Sequence, residues 1–352
     1  MDSAAHSRRD PESDQGSAAA HRRRWAEETV AALTPRRGEA LGLSTGPRRR
    51  RGRVAVVTDT SCGLPVELLG PLAGQLTVVP LPLMIGGQIH SGDGEELPRE
   101  LALAVASGTS VTTSRPSPGV FSAVYSDLRD RGVDGIVSVH LAGPLSGTVE
   151  SAQMAAAEAG IPVEVVDSQQ AGLALGQAAL DAAAGSRLGL DVHGCADLAR
   201  RSASAASSLF AVPNLEQLRR GGRISALAGF AGSLLQVRPL LSLQDGEIVA
   251  VERPRTMARA AEALHRRVEE AAAGLRAPSI GVHVFGNESE GVDLARRLRP
   301  LSNRTVPVLE VPAVLGAHLG LGVLAVSVSP SLGPERKTDP QADQWSEASS
   351  TD

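Results

Sequence analysis

The chain has 352 residues, 42% of them hydrophobic and 21% charged, an ordinary globular balance with length enough for two domains and sizeable cores. The formal net charge is −4, and residues 54–329 hold 27 acids against 21 bases, which argues against nucleic acid as a main ligand. No apolar run approaches the ~20 residues of an integral membrane segment and the first thirty residues lack the apolar stretch of a secretory signal, so the chain reads as cytoplasmic.

Residues 1–53 contain twelve Arg and seven acids, closing on the run PRRRRGR at 47–53. That composition predicts a solvated, disordered Arg-rich tail over 1–52, and the five acids and two bases of 330–352 predict a second, acidic tail. Both tryptophans, Trp25 and Trp345, fall within these tails. The folded part opens with RVAVVTDTS (53–61), a β-branched run closed by a polar turn, as a buried parallel strand reads. Further strands are expected at LTVVPLPLMI (76–85), DGIVSVHLA (134–142) and IPVEVVDS (161–168), separated by stretches of helical length. This alternation predicts crossover units and a parallel sheet over 53–170.

From about residue 171 small-residue helices take over, followed by a second set of strands, so a second α/β domain is placed at 171–329. VRPLLSLQDGEIVAVERP (237–254) reads as a hairpin turning at Asp245 and Gly246, and Thr256 is a candidate cap for a helix over 257–273. Cys62 and Cys195 have neither metal-ligand nor redox-motif spacing and are expected as reduced thiols; no histidine pair has metal-ligand spacing, so no metal site is expected.

Four loops that end strands are rich in hydroxyls or Asp: 58–63, 113–119, 141–148 and 166–172. Ser, Thr and Asp are also what helix caps use, so either reading stands for any one loop. Two loops together, with Thr113, Ser114 and Ser117 in one and Ser146, Gly147 and Thr148 in the other, favour a site that holds an anion by neutral donors. On pattern alone His283, alternating with Val282 and Val284, is a structural strand histidine, and His318 lies in a glycine-rich turn. GGRIS (221–225) lacks a full phosphate-loop pattern, and PLSGT lacks the first glycine of a nucleophile elbow.

The order of VTDTSCGLP, TSRPSPGVF, PLSGTVESA, VDSQQAGLALG, LRRGGRIS, LLQVRPLLSLQDGEI, GVHVFGN and LGAHLGLGVLAV resembles the DegV family of bacterial fatty-acid-binding proteins, over about 53–329. The resemblance implies a two-domain DegV-like fold, a parallel-sheet N-terminal domain plus an α/β C-terminal domain with a ligand tunnel between them. It implies a non-enzymatic carrier without cofactor, whose bound long-chain fatty acid is presented to a separate ATP-dependent fatty acid kinase, the acyl phosphate then entering phospholipid synthesis. Carried over motif by motif, the carboxylate contacts fall on Thr113, Ser114, Ser146 and His283, with Arg115, Ser117, Gly147, Thr148 and His318 in supporting loops. Arg219, Arg220 and Arg223 are candidates for docking the kinase. The family's usual Gln is Arg115 here, and its usual Gly-Pro-Gly is Gly320-Leu321-Gly322. Two other readings remain: a lipid-handling hydrolase or phosphotransferase using the same loops, and a carrier of another amphipathic acid without a kinase partner. Against the enzyme stands the lack of an ordered nucleophile, base and acid in the sequence.

Overall fold

A computed structural model describes residues 11–33, 53–90, 96–224 and 237–331. After helix α1 (Pro11–Leu33), strand β1 (Val54–Asp59) is buried at all its positions, because layers cover both faces of this central strand. A short helix α2 (Val66–Leu69) leads to β2 (Leu76–Val79). The apolar run expected as one strand over 76–85 divides at Pro80 and Pro82, which have no N–H to continue a ladder. Beyond them β3 (Leu83–Ile85) turns into a small antiparallel sheet with β4 (Gln88–His90) and, after α3 (Leu97–Ser107), with β5 (Val111–Thr113). Helix α4 (Pro118–Asp130) starts with proline, whose missing N–H costs nothing in a first turn. Then come β6 (Gly135–His140), α5 (Thr148–Ala156) and β7 (Val163–Asp167). The main N-terminal sheet is parallel, in the order β2-β1-β6-β7, so loops 60–63, 141–147 and 168–172 leave the same edge.

Helices α6 (Leu173–Arg187) and α7 (Val192–Ala205) pack against each other and lie between this sheet and the next. Twelve of the fifteen residues of α6 are buried, and these are Ala, Leu and Gly except for Asp181, which accepts from the Gln177 amide at 2.8 Å. Its approach is close: a Cβ on Gly176 would lie 2.4 Å from the Cys62 carbonyl oxygen.

The second domain continues with β8 (Ser207–Ala211), α8 (Glu216–Arg220), β9 (Leu240–Gln244) and β10 (Glu247–Glu252). The expected hairpin is there, with Asp245 and Gly246 both at positive φ, as a two-residue primed turn requires. Thr256 caps α9 (Met257–Ala273) by accepting from the Arg259 N–H at 3.2 Å. After it come β11 (Pro278–Val284), α10 (Glu288–Leu298), β12 (Val308–Glu310), α11 (Ala313–Leu319) and β13 (Leu324–Pro330). The sheet runs β10-β9-β8-β13-β11-β12, antiparallel except for β11 with β12.

The N-terminal segment departs from the expectation of a solvated tail over 1–52, because α1 is packed on the body. Trp25 is fully buried in the core cluster that includes Leu68, Leu72 and Val311. The Thr305 N–H and hydroxyl both donate to the Glu28 carboxylate, at 2.9 and 2.8 Å. Arg22 donates to the Val308 carbonyl at 3.4 Å and lies 3.7 Å from Glu67, so one side chain reaches both domains. Composition hid this helix because few apolar residues carry its contact and most of the rest are charged or small. Residues 1–10 and 34–52, and the expected acidic tail from 332 on, lie outside the described residues.

Removing the buried indole tests the packing directly. Trp25→Ala is expected to cost about 3 to 5 kcal/mol, the usual loss for a large aromatic taken from a core, seen as a lower melting temperature; a helix lying loose in solvent would show no change.

Candidate functional site

The loop that carries Ser146 is pinned by two carboxylates at strand ends. Asp59, fully buried at the end of β1, accepts from the Leu141 N–H at 3.1 Å and the Ser61 N–H at 3.0 Å, and also from the Ser61 hydroxyl. Its other partner is His140 Nδ1 at 2.9 Å. With the proton on Nδ1, His140 Nε2 accepts from the Ser138 hydroxyl at 2.7 Å, which in turn accepts from Tyr125 at 2.8 Å. Burial pushes the Tyr125 phenol up to about 12, against the opposing effect of its Ser138 bond, so it stays a donor. Asp167, at the end of β7, accepts from the Gly143 N–H at 3.1 Å and from the Gln169 N–H at 2.9 Å. A buried carboxylate must find donors for its lone pairs, and one of those of Asp59, the Leu141 N–H, lies on the backbone that leads into Ser146, as does the Gly143 N–H held by exposed Asp167.

The sequence reading missed this network. Its signal was present: Asp59 and His140 are polar residues at the carboxyl ends of otherwise apolar runs, where a parallel sheet collects its functional groups.

Beyond this loop lies a cavity of about 620 Å³, lined from both domains. Its walls are largely aliphatic, with Leu81, Leu145, Leu243, Ile248 and Leu319 around Phe210. Polar side chains share the wall, among them Thr113, Ser114, Arg115, Ser146, His283 and His318, with the charged Glu150, Arg223 and Glu247. Thr113 Oγ1 lies 2.8 Å from His318 Nε2, joining β5 to α11 across the two domains. Ser146 Oγ lies 2.8 Å from Thr148 Oγ1, so Thr148 supports the site through Ser146. Ser117 does not line the cavity; it precedes α4 as its N-cap residue.

The two histidines exchange the roles that the sequence suggested for them. His283 borders the cavity, but its Nε2 accepts from the Leu173 N–H at 3.0 Å and its Nδ1 faces the Glu310 carbonyl at 3.4 Å. Its ring is wedged against the loops, since a Cβ on Gly63 would come 2.6 Å from its Cε1. With both nitrogens engaged it acts as a junction between α6, β11 and β12. His318 instead bonds the Thr113 hydroxyl, and its Nδ1 is buried without a partner in the protein. Burial lowers both imidazoles to about 4, with Arg223 adding to the effect at His318, so both rings are neutral at pH 7.

Arg115 pairs with Glu150 at 2.8 Å. Arg223, also on the cavity wall, donates to the Leu145 carbonyl at 3.2 Å, while Arg219 and Arg220 are exposed on α8 and Arg220 pairs with Glu216. Among the described residues no group of three or more His, Cys, Asp or Glu is placed to hold a metal ion, and no helix is long and apolar enough to cross a membrane.

Together these features define a two-domain α/β protein whose interdomain cavity pairs aliphatic walls with hydroxyl, imidazole and charged groups. The chain belongs to the DegV family, whose model, described as uncharacterised protein, DegV family, matches residues 53–331. A DegV domain-containing protein of Streptomyces coelicolor is 40% identical over 279 residues, covering 78% of this chain and 98% of that protein. A DegV family protein of Thermus thermophilus, described as binding fatty acid, matches in structure with a TM-score of 0.72 and 33% identity, over 79% of this chain and 99% of the other. DegV of Bacillus subtilis, described as a fatty acid binding protein, has a TM-score of 0.70 at 28% identity, over 79% and 99% of the two chains.

The buried neutral histidines predict how stability depends on pH. An unfolded histidine gains its proton near 6.5 and these folded ones only near 4, so between those values the unfolded chain binds more protons. Stability is therefore expected to fall as pH drops from about 6.5 towards about 4. In denaturant titrations across this range His318→Gln should flatten part of the slope; an unchanged slope would mean that His318 is protonated in the folded protein.

Proposed function

We propose that this protein is a carrier that binds a long-chain fatty acid in the interdomain cavity and presents its carboxylate to a separate ATP-dependent fatty acid kinase. The observation that carries this reading is the pairing of a mostly aliphatic cavity of about 620 Å³ with the Thr113–His318 hydrogen bond and Ser146 on its wall. Such a volume lies within the usual range for ligand sites, about 300–1,000 Å³, and a few placed polar groups in an apolar wall suit an amphiphile. When His318 donates from Nε2 to Thr113, the Thr113 hydroxyl proton is free to face a carboxylate. Ser114 and Ser146 add further donors, and His318, whose one N–H is spent on Thr113, acts on the headgroup through that hydroxyl. The relatives described as fatty-acid binding support the ligand class.

A carrier fits these contacts better than a hydrolase does. The hydroxyl of Ser146 is paired with Thr148, and although Thr113 bonds His318, the other nitrogen of that ring has no carboxylate to orient it as a base. Transfer of a phosphoryl group would then fall to the partner kinase, for which exposed Arg219 and Arg220, next to Arg223 on the cavity wall, offer a charged docking rim.

Native mass spectrometry of the purified protein tests the ligand class: a stoichiometric long-chain acid is expected, and a protein that neither retains nor takes up such an acid would overturn the reading. Affinity should also rise with acyl length, by roughly 0.8 kcal/mol for each buried methylene before ordering costs, until the cavity is filled. Equal binding of short and long acids would remove the apolar cavity from the argument.

Headgroup recognition has its own control. Ser146→Ala or His318→Ala should weaken a fatty acid about ten- to a hundred-fold, since hydrogen bonds to a charged group are worth about 1.5–3 kcal/mol. The matching fatty alcohol should lose much less. Equal losses for acid and alcohol would show that these side chains shape the cavity and do not read the headgroup.

A further inference from the structure

We propose that Arg115 and Glu150 form an exchangeable ion pair that selects amphiphiles with a dianionic phosphate headgroup, an inference that rests on the cavity holding an amphiphile by its polar end. Both residues line the cavity, and their contact of 2.8 Å joins the loop after β5 to the first turn of α5. The arginine lies flat over Gly147, next to Ser146: a Cβ there would come 2.5 Å from Nη1 and 2.8 Å from Cδ. A glycine at 147 is thus what lets the guanidinium reach the headgroup loop.

The pair is built to exchange. Its side chains are 54% and 72% exposed, and ion pairs in that setting contribute little. An anion arriving at the lip can therefore replace Glu150 at small cost. The other arginine on the wall, Arg223, is turned to the Leu145 and Gly221 carbonyls, so Arg115 is the one whose bond is to a solvated carboxylate alone.

Headgroup chemistry follows from counting charges. Thr113, freed to donate by its bond from His318, and Ser114 and Ser146 are uncharged donors suited to a monoanionic carboxylate. A fixed cation beside them adds most for a headgroup with a second negative charge and oxygens to spare. A phosphate monoester has both, and a guanidinium matches two of its oxygens with two parallel N–H groups.

The test uses the full chain at low salt, with laurate, dodecyl phosphate and dodecyl sulfate as probes in calorimetric titrations. The wild-type protein is expected to prefer dodecyl phosphate over laurate, and R115Q to lose at least tenfold of that preference at an unchanged melting temperature. R115K should recover only part of it, because the ammonium lacks the planar fork. E150Q should tighten dodecyl phosphate a few-fold and steepen its salt dependence, because the neighbouring carboxylate no longer offsets the attraction of Arg115. Dodecyl sulfate, tetrahedral but singly charged, should follow laurate. An R115Q variant that shifts phosphate and laurate equally overturns the selection by charge, as does a wild-type protein that binds laurate without preferring the phosphate. Failure to bind laurate as well would instead overturn the amphiphile reading on which the inference rests.

Discussion

A carboxylate without access to water, that of Asp59, sets the geometry on which the cavity depends. A buried charge is tolerated only where donors surround it, and here two backbone N–H groups, a hydroxyl and an imidazole do so. Because one of those donors is the Leu141 N–H, the end of β6 cannot move without leaving the charge short of a partner. Asp167, an exposed carboxylate, adds a second hold on the same loop two residues further on, at Gly143. Ser146 therefore stands on a loop held at its root by two strand ends, which is the rigidity that a hydroxyl needs if it is to meet a headgroup at a fixed distance.

The cavity itself is a consequence of how the two sheets are joined. Helix α6 is buried on nearly every side and packs on β1 and β6 of one sheet and on β13 of the other. Small residues let both layers come close there, as at Gly176 against the Cys62 carbonyl, while the cavity lies on the side of Thr113, Leu145 and α11. The result is an apolar space with polar groups contributed by both domains. His283 sits at the junction, with neighbours in Gly63, Leu173 and Glu310, so a residue on a C-terminal strand fixes the N-terminal loops.

Much of this was legible in the residues. The parallel strands, the hairpin at Asp245 and Gly246 and the Thr256 cap each carry a local signal that tertiary packing does not contradict. Thr113, Ser114 and Ser146, singled out because two hydroxyl-rich loops end strands, do line one cavity. The helix over 11–33 was not legible, because its burial depends on a single tryptophan and a few partners distant in the chain, such as Thr305 and Val308. The buried network was missed for a similar reason: Asp59 and His140 are 81 residues apart, and only the register of β1 beside β6 brings them together.

The two histidines show most clearly where local pattern stops. His283 lies on an alternating strand, and alternation says which face a side chain takes but not what waits there. The face is polar backbone, the Leu173 N–H and the Glu310 carbonyl, and the ring is consumed by them. His318 lies near the end of a short helix before a glycine turn, a position that suggests a terminus and little else. Yet α11 runs beside β5, and that contact between distant segments sets the imidazole on the Thr113 hydroxyl. Residue type marked both as candidates; the partners of each nitrogen separate them, backbone groups for His283 and the Thr113 hydroxyl for His318.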